Sequence, residues 1–89
     1  MKIIETDMDL MQWFADAEGG DRCEYHRGSL AHDRFSGPAR ERVSAVADTA
    51  WGLERQRLVH LVQQRVDNGF SYQAIARKKP ALFAGDIKE

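Results

Sequence analysis

Apolar residues recur at helical spacing in two stretches of this chain and alternate with polar ones in two others. Between Asp7 and Glu18, the residues Leu10, Met11, Phe14 and Ala17 form one helical stripe, with Trp13 at its border. Thr6 followed by Asp9 has the spacing of a capping box, Asp7 and Asp9 suit the positive end of a helix dipole, and Gly19-Gly20 supplies a left-handed stop. A second helix begins after Phe35-Ser36-Gly37-Pro38, where Pro38 suits a first helical turn. Its stripe is Ala39, Val43, Val46, Ala50 and Leu53, widened by Ala47 and flanked by Trp51, and it ends at Gly52 or one turn later.

The alternating stretches predict two hairpins. Arg22–Arg34 turns near Arg27-Gly28, which places Cys23, Tyr25, Leu30 and His32 on one face and Arg22, Glu24, His26 and Asp33 on the other. A bulged three-residue loop in place of a two-residue one shifts that register by one. The second hairpin joins Leu58–Val66 to Ser71–Lys78 through Asp67-Asn68-Gly69-Phe70, and Asn-Gly is the preferred type I′ pair. That turn sets Arg65 opposite Tyr72, Gln63 opposite Ala74 and Leu61 opposite Ala76. Val59, Phe70 and Tyr72 then form a core face. The other face carries His60, Gln64, Gln73 and Arg77 around Val62 and Ile75. The expected fold is therefore α+β: two helices packed on an antiparallel sheet of two β-hairpins, in the order α-ββ-α-ββ. A single domain should span 1–80, with a loose tail at 81–89.

Length and composition agree with one domain. The chain has 89 residues, of which 43% are hydrophobic and 30% charged, which excludes disorder over most of its length. No apolar run reaches the roughly 20 residues of a membrane span. The start, MKIIETDMDL, lacks the pattern of a secretory signal. The single Cys23 forms no internal disulfide and suits a reducing cytoplasm.

Charge changes the picture more. The net value is −1, but residues 1–24 hold seven acids against Lys2 and Arg22, whereas ten bases face five acids over residues 25–79. Arg40, Arg42, Arg55 and Arg57 bracket the second helix, and Arg65, Arg77, Lys78 and Lys79 lie on the last hairpin. A helix followed by a basic ribbon suggests a winged-helix DNA binder. Two features oppose that reading: only one helix precedes the ribbon, and the turn tip Asp67-Asn68-Gly69 is acidic where phosphate contact needs cations. The face of His60, Val62, Gln64, Gln73, Ile75 and Arg77 has instead the apolar centre and polar rim of a protein interface.

The candidate chemistry is sparse. Cys23, His26, His32 and His60 lack metal-ligand spacing, and no CxxC or HxxxH pair exists, so no metal site is expected. A Cys23–His pair oriented by Asp33 can be written down, but its proximity follows from any hairpin there. No phosphate-binding glycine loop is present. The sequence therefore predicts no enzyme and no cofactor.

Gly20 to Arg34 reads GDRxEYHRGxLAxDR, and later LVHLVQQR at 58–65 precedes YQAIAR at 72–77. With the alanine-rich helix between them, these segments resemble small uncharacterised proteins of proteobacterial phages and prophages. The resemblance implies a bacterial host cytoplasm and an accessory role. Accessory genes of that kind encode DNA-binding regulators or small inhibitors of host defence, anti-CRISPR proteins among them. The balanced charge, the single helix before the ribbon and the acidic tip favour capture of a host protein or defence complex, with a winged-helix-like DNA-binding regulator as the second reading. A homodimer is compatible with either.

Overall fold

The computed structural model describes residues 1–78. The elements run β1 (Lys2–Ile3), α1 (Asp7–Asp16), β2 (Arg22–Gly28), α2 (Leu30–Asp33), α3 (Arg40–Arg55), β3 (Val59–Val66) and β4 (Gly69–Ala76). They build an α+β fold around one mixed sheet ordered β1-β2-β4-β3, in which β1 lies parallel to β2 and the other pairs are antiparallel. Lys79 and the tail expected at 81–89 lie outside the described residues. Among the described residues no helix is long and apolar enough to cross a membrane.

Both long helices form where the apolar spacing placed them. Thr6 and Asp9 close the capping box at the start of α1, each side chain meeting the other's backbone N–H. Leu10, Phe14 and Ala17 are buried, while Met11, expected in the stripe, is exposed. From α3, Val43, Val46, Ala47, Ala50 and Leu53 face the sheet and α1. They meet Cys23, Tyr25, Val59, Tyr72 and Ala74 in one continuous core. Each fully buried aliphatic side chain there contributes roughly 1.5–3 kcal/mol relative to exposure.

The first hairpin does not form. Gly28, at φ +129°, ends β2, and Ser29 starts the single turn α2 in place of a return strand. Strand β2 pairs with β4 instead, some fifty residues away in the chain, with Cys23 opposite Ala74 and Gly28 opposite Phe70. Asp33 explains the corner. Its Oδ2 accepts the Ser29 N–H at 3.2 Å and lies 2.8 Å from His26 Nε2, and Tyr72 Oη accepts the Leu30 N–H at 3.1 Å. A Cβ on Gly28 would stand 2.7 Å from that same carboxylate oxygen.

The second hairpin forms with its register moved by two. Val66 pairs with Gly69, which sets Arg65 opposite Phe70, Gln63 opposite Tyr72 and Leu61 opposite Ala74. Only Asn68 of the two central residues has positive φ, at 64°, the sign pattern of a type II turn and not of type I′. Because side chains alternate with period two, a two-residue slip leaves every residue on its expected face.

Candidate functional site

The helices pack on one side of the sheet; no described element covers the other. Alternation presents there Arg22, Glu24 and Arg27 from β2, Ser71, Gln73 and Ile75 from β4, and His60, Val62 and Gln64 from β3. Arg77 follows β4 in the same phase, its N–H donating to Leu58 O at 3.0 Å. The paired register of β1 adds the exposed Ile3 beside Glu24. All six residues singled out from the sequence (His60, Val62, Gln64, Gln73, Ile75 and Arg77) thus lie on this open face. Val62 and Ile75 are diagonal neighbours, since His60 faces Ile75 and Val62 faces Gln73.

A bulge in β2 completes the face. In a regular strand, residues three apart point to opposite sides. The irregularity between Glu24 and His26 instead turns Tyr25 into the core and keeps Glu24 and Arg27 together on the open side. Arg27 grips the Glu24 carboxylate with two donors, Nη2 at 2.8 Å and Nε at 3.3 Å. From Glu24 a hydrogen-bonded chain crosses the sheet. Ser71 Oγ donates to Glu24 Oε2; Gln73 Nε2 donates to Ser71 Oγ at 2.9 Å and to Gln64 Oε1 at 3.2 Å; Arg22 Nη1 donates to Gln73 Oε1 at 2.9 Å. Glu24, Ser71 and Gln73 are buried although no element covers them, because these neighbours shield one another.

Electrostatics follow from that arrangement. Burial pushes the Glu24 carboxyl upward, but hydrogen bonds from Arg27 and Ser71 and the charges of Arg27 and His26 outweigh it, leaving its pKa below the ordinary value. The face is therefore a hydrogen-bonded polar lattice held by the Glu24–Arg27 ion pair and Arg22, flanked by apolar Val62, Ile75 and Ile3 and by Arg77. Such a surface offers shape and fixed donors to a partner with little ordering cost.

The basic residues weighed for DNA do not share one surface. Arg40 and Arg42 stand at the start of α3, where Arg40 donates to Gly37 O at 3.2 Å and Arg42 to Glu5 O at 2.6 Å. Arg55 and Arg57 stand at its other end, and a helix of 16 residues is about 24 Å long. Arg65 lies 5.6 Å over the Phe70 ring on the helix side near the hairpin tip, whereas Arg77 and Lys78 follow the opposite end of β4.

Cys23 and the three histidines likewise do not gather into one site. Cys23 is in the core opposite Ala74, and burial pushes its thiol up to about 11, the reverse of what a nucleophile needs. His26 and His32 both meet Asp33, and no group of three or more metal-ligating side chains suited to an ion occurs among the described residues. Hydrogen bonding from His26 first, then His32 and Ser29, holds the Asp33 carboxyl below its usual range.

Sequence reasoning missed Arg22, Glu24, Arg27 and Ser71 as members of the face, because it paired β2 with its own neighbour. It also missed a groove of about 420 Å³ on the helix side, lined by Leu30, Ala31, Arg34, Phe35, Trp51, Gln63 and Tyr72. There Arg34 lies 4.6 Å from the Trp51 ring centre and 5.4 Å from that of Phe35, and donates to Ser44 at 2.9 Å and Asp48 at 2.7 Å. Comparison with protein families, with curated proteins and with solved structures returns no match.

Proposed function

We propose that this chain acts by binding, as a non-enzymatic phage-type accessory protein that captures a host protein of a defence complex through the open sheet face. One observation carries the reading: a hydrogen-bonded polar lattice with apolar Val62 and Ile75 beside it, left uncovered by every described element. Glu24 and Gln73 have their hydrogen bonds met within the lattice, so the face presents ordered polar groups beside exposed apolar ones. A partner that brings apolar contacts to Val62 and Ile75 and acceptors to Arg22, Arg27 and Arg77 fits it. The test uses immobilised full chain and a bacterial host lysate. Ile75→Asp and Val62→Asp should keep the native circular dichroism and lose the captured partner; unchanged capture by both folded variants refutes the site.

A second reading has one observation in its favour. Helix, strand, short helix, long helix and two-stranded ribbon follow one another from α1 to β4, the order of a winged-helix DNA-binding domain. Strand β2 pairing with β4 and not with β3 fits that order as well. In this reading α3 enters the major groove. The dispersed arginines and the acidic tip at Asp67 weigh against it, and the salt dependence of any DNA affinity separates the two.

A further inference from the structure

Among the described residues, β3 is an edge strand of eight residues with a strand partner on one side only. The phase of its ladder is fixed: Arg77 N–H donates to Leu58 O, so His60, Val62 and Gln64 spend their backbone groups on β4. Leu61, Gln63 and Arg65 therefore turn their N–H and C=O groups outward. Exposed edges are ordinarily blunted by proline, a bulge, shortness or repeated charge. This one has no proline, pairs with β4 without irregularity over all eight residues, and bears formal charge at Arg65 alone.

We infer that β3 is a self-association edge, along which two copies of the chain pair antiparallel with Val62 on the two-fold axis. The two four-stranded sheets then join into one of eight strands. The inference goes beyond the reading of the open face: the strand's edge and the helix-side groove carry it, and because His60, Val62 and Gln64 also line the seam, Ile75 on β4 is the position that separates the two readings.

The self-complementarity of β3 selects a second copy as the occupant. A two-fold axis through a sheet keeps each residue on its own face, so the register must centre on a residue. Centring on Val62 sets the two valines against each other and each His60 across from the copy's Gln64. On the helix side, Leu61 meets the copy's Gln63 and Val59 the copy's Arg65. Charge agrees with this alignment. Glu54 stands in the last turn of α3, which the Leu58 N–H to Leu53 O bond holds beside the start of β3. It lines a groove of about 310 Å³ with Trp51, Leu61 and Gln63, whereas Arg65 stands at the other end of the strand on the same side. Antiparallel pairing carries each Arg65 to the end where the copy's Glu54 waits, so the pair forms twice across the axis. The groove also gives the incoming strand's helix-side residues room beneath Trp51, itself 38% exposed.

Sedimentation equilibrium of the full chain over roughly 1–200 µM tests this. The expected species is a dimer of the 10.1 kDa chain. Gln63→Pro removes an outward N–H that takes no part in the β4 ladder, and should weaken association at least about tenfold. Glu54→Arg and Arg65→Glu should each weaken it roughly tenfold, and their combination should return to within about threefold of the native chain. A monomer across the whole range overturns the inference, whether a peptide of another protein or a segment of the same chain then occupies the edge. So does a dimer indifferent to both Gln63→Pro and the charge exchange. Ile75→Asp should leave the dimer intact, so unchanged partner capture by that folded variant refutes the open-face reading without touching this one.

Discussion

Glu24 shows how a single residue ties local backbone geometry to the open face. It reaches Arg27 only because the bulge at Tyr25 restores their common side, and it anchors the chain that runs through Ser71 and Gln73 to Arg22. Glu24→Gln keeps the shape but removes the charge that Arg27 and Ser71 both serve. It should cost about 1–3 kcal/mol of unfolding free energy, read from the urea midpoint. The carboxyls also predict the pH dependence. Glu24 and Asp33 both have folded-state pKa values below their ordinary ones. Such groups stabilise the fold above the unfolded pKa, near 4, and that contribution disappears as pH falls through the lower folded values. The native chain should hold a flat urea midpoint from about pH 7 to 5 and lose stability below roughly pH 4. Glu24→Gln combined with Asp33→Asn should start lower and fall less steeply; a parallel decline would show that other carboxyls carry the acid response.

At the scale of elements, the corner between β2 and α2 decides the topology. Gly28 turns the chain with positive φ, Asp33 receives the Ser29 N–H, and Tyr72 receives that of Leu30. The motif from Gly20 to Arg34 is largely explained by this corner: Tyr25 and Leu30 enter the core, His26 pairs with Asp33, and Arg34 bridges to Ser44 and Asp48 on α3. Tyr72→Phe should leave the Leu30 N–H without its buried acceptor and cost about 1–2 kcal/mol, again by urea titration, while circular dichroism stays native.

The same corner marks where sequence reading stops. Both long helices and the β3–β4 hairpin were legible because their periodicity and caps are local. Even a register wrong by two kept His60, Val62, Gln64, Gln73 and Ile75 on one face. The pairing of β2 was not legible, since alternation over Arg22–Arg34 is equally satisfied by a near partner and a distant one. One turn of helix at Leu30–Asp33 has too few residues to show a period. The two-residue β1 and its parallel pairing carry no pattern at all. Glu24 and Ser71 were missed for the same reason, because their meeting depends on a long-range register and a bulge.

At the scale of the whole molecule, the distribution of charge separates the two functional readings. A DNA-binding face must gather cations so that several phosphates are neutralised together, and the number gathered sets the slope of affinity against salt. Here Arg42 is bound to Glu5 O at 2.6 Å and the guanidinium of Arg34 to Asp48 at 2.7 Å, while Arg55 and Arg57 sit a helix length from Arg40. The acids of residues 1–24 add a field that repels a polyanion. Fluorescence anisotropy with generic duplex DNA at about 20 mM and 150 mM salt should therefore show no binding tighter than roughly 100 µM. Micromolar affinity falling steeply with salt would move the winged-helix reading to first place. Replacing Arg40, Arg42 and Arg77 would then have to weaken binding and flatten the slope together. If the slope stayed unchanged, α3 would not be the element that meets the phosphates, and the open sheet face with its arginines would be the surface to test against DNA as well as protein.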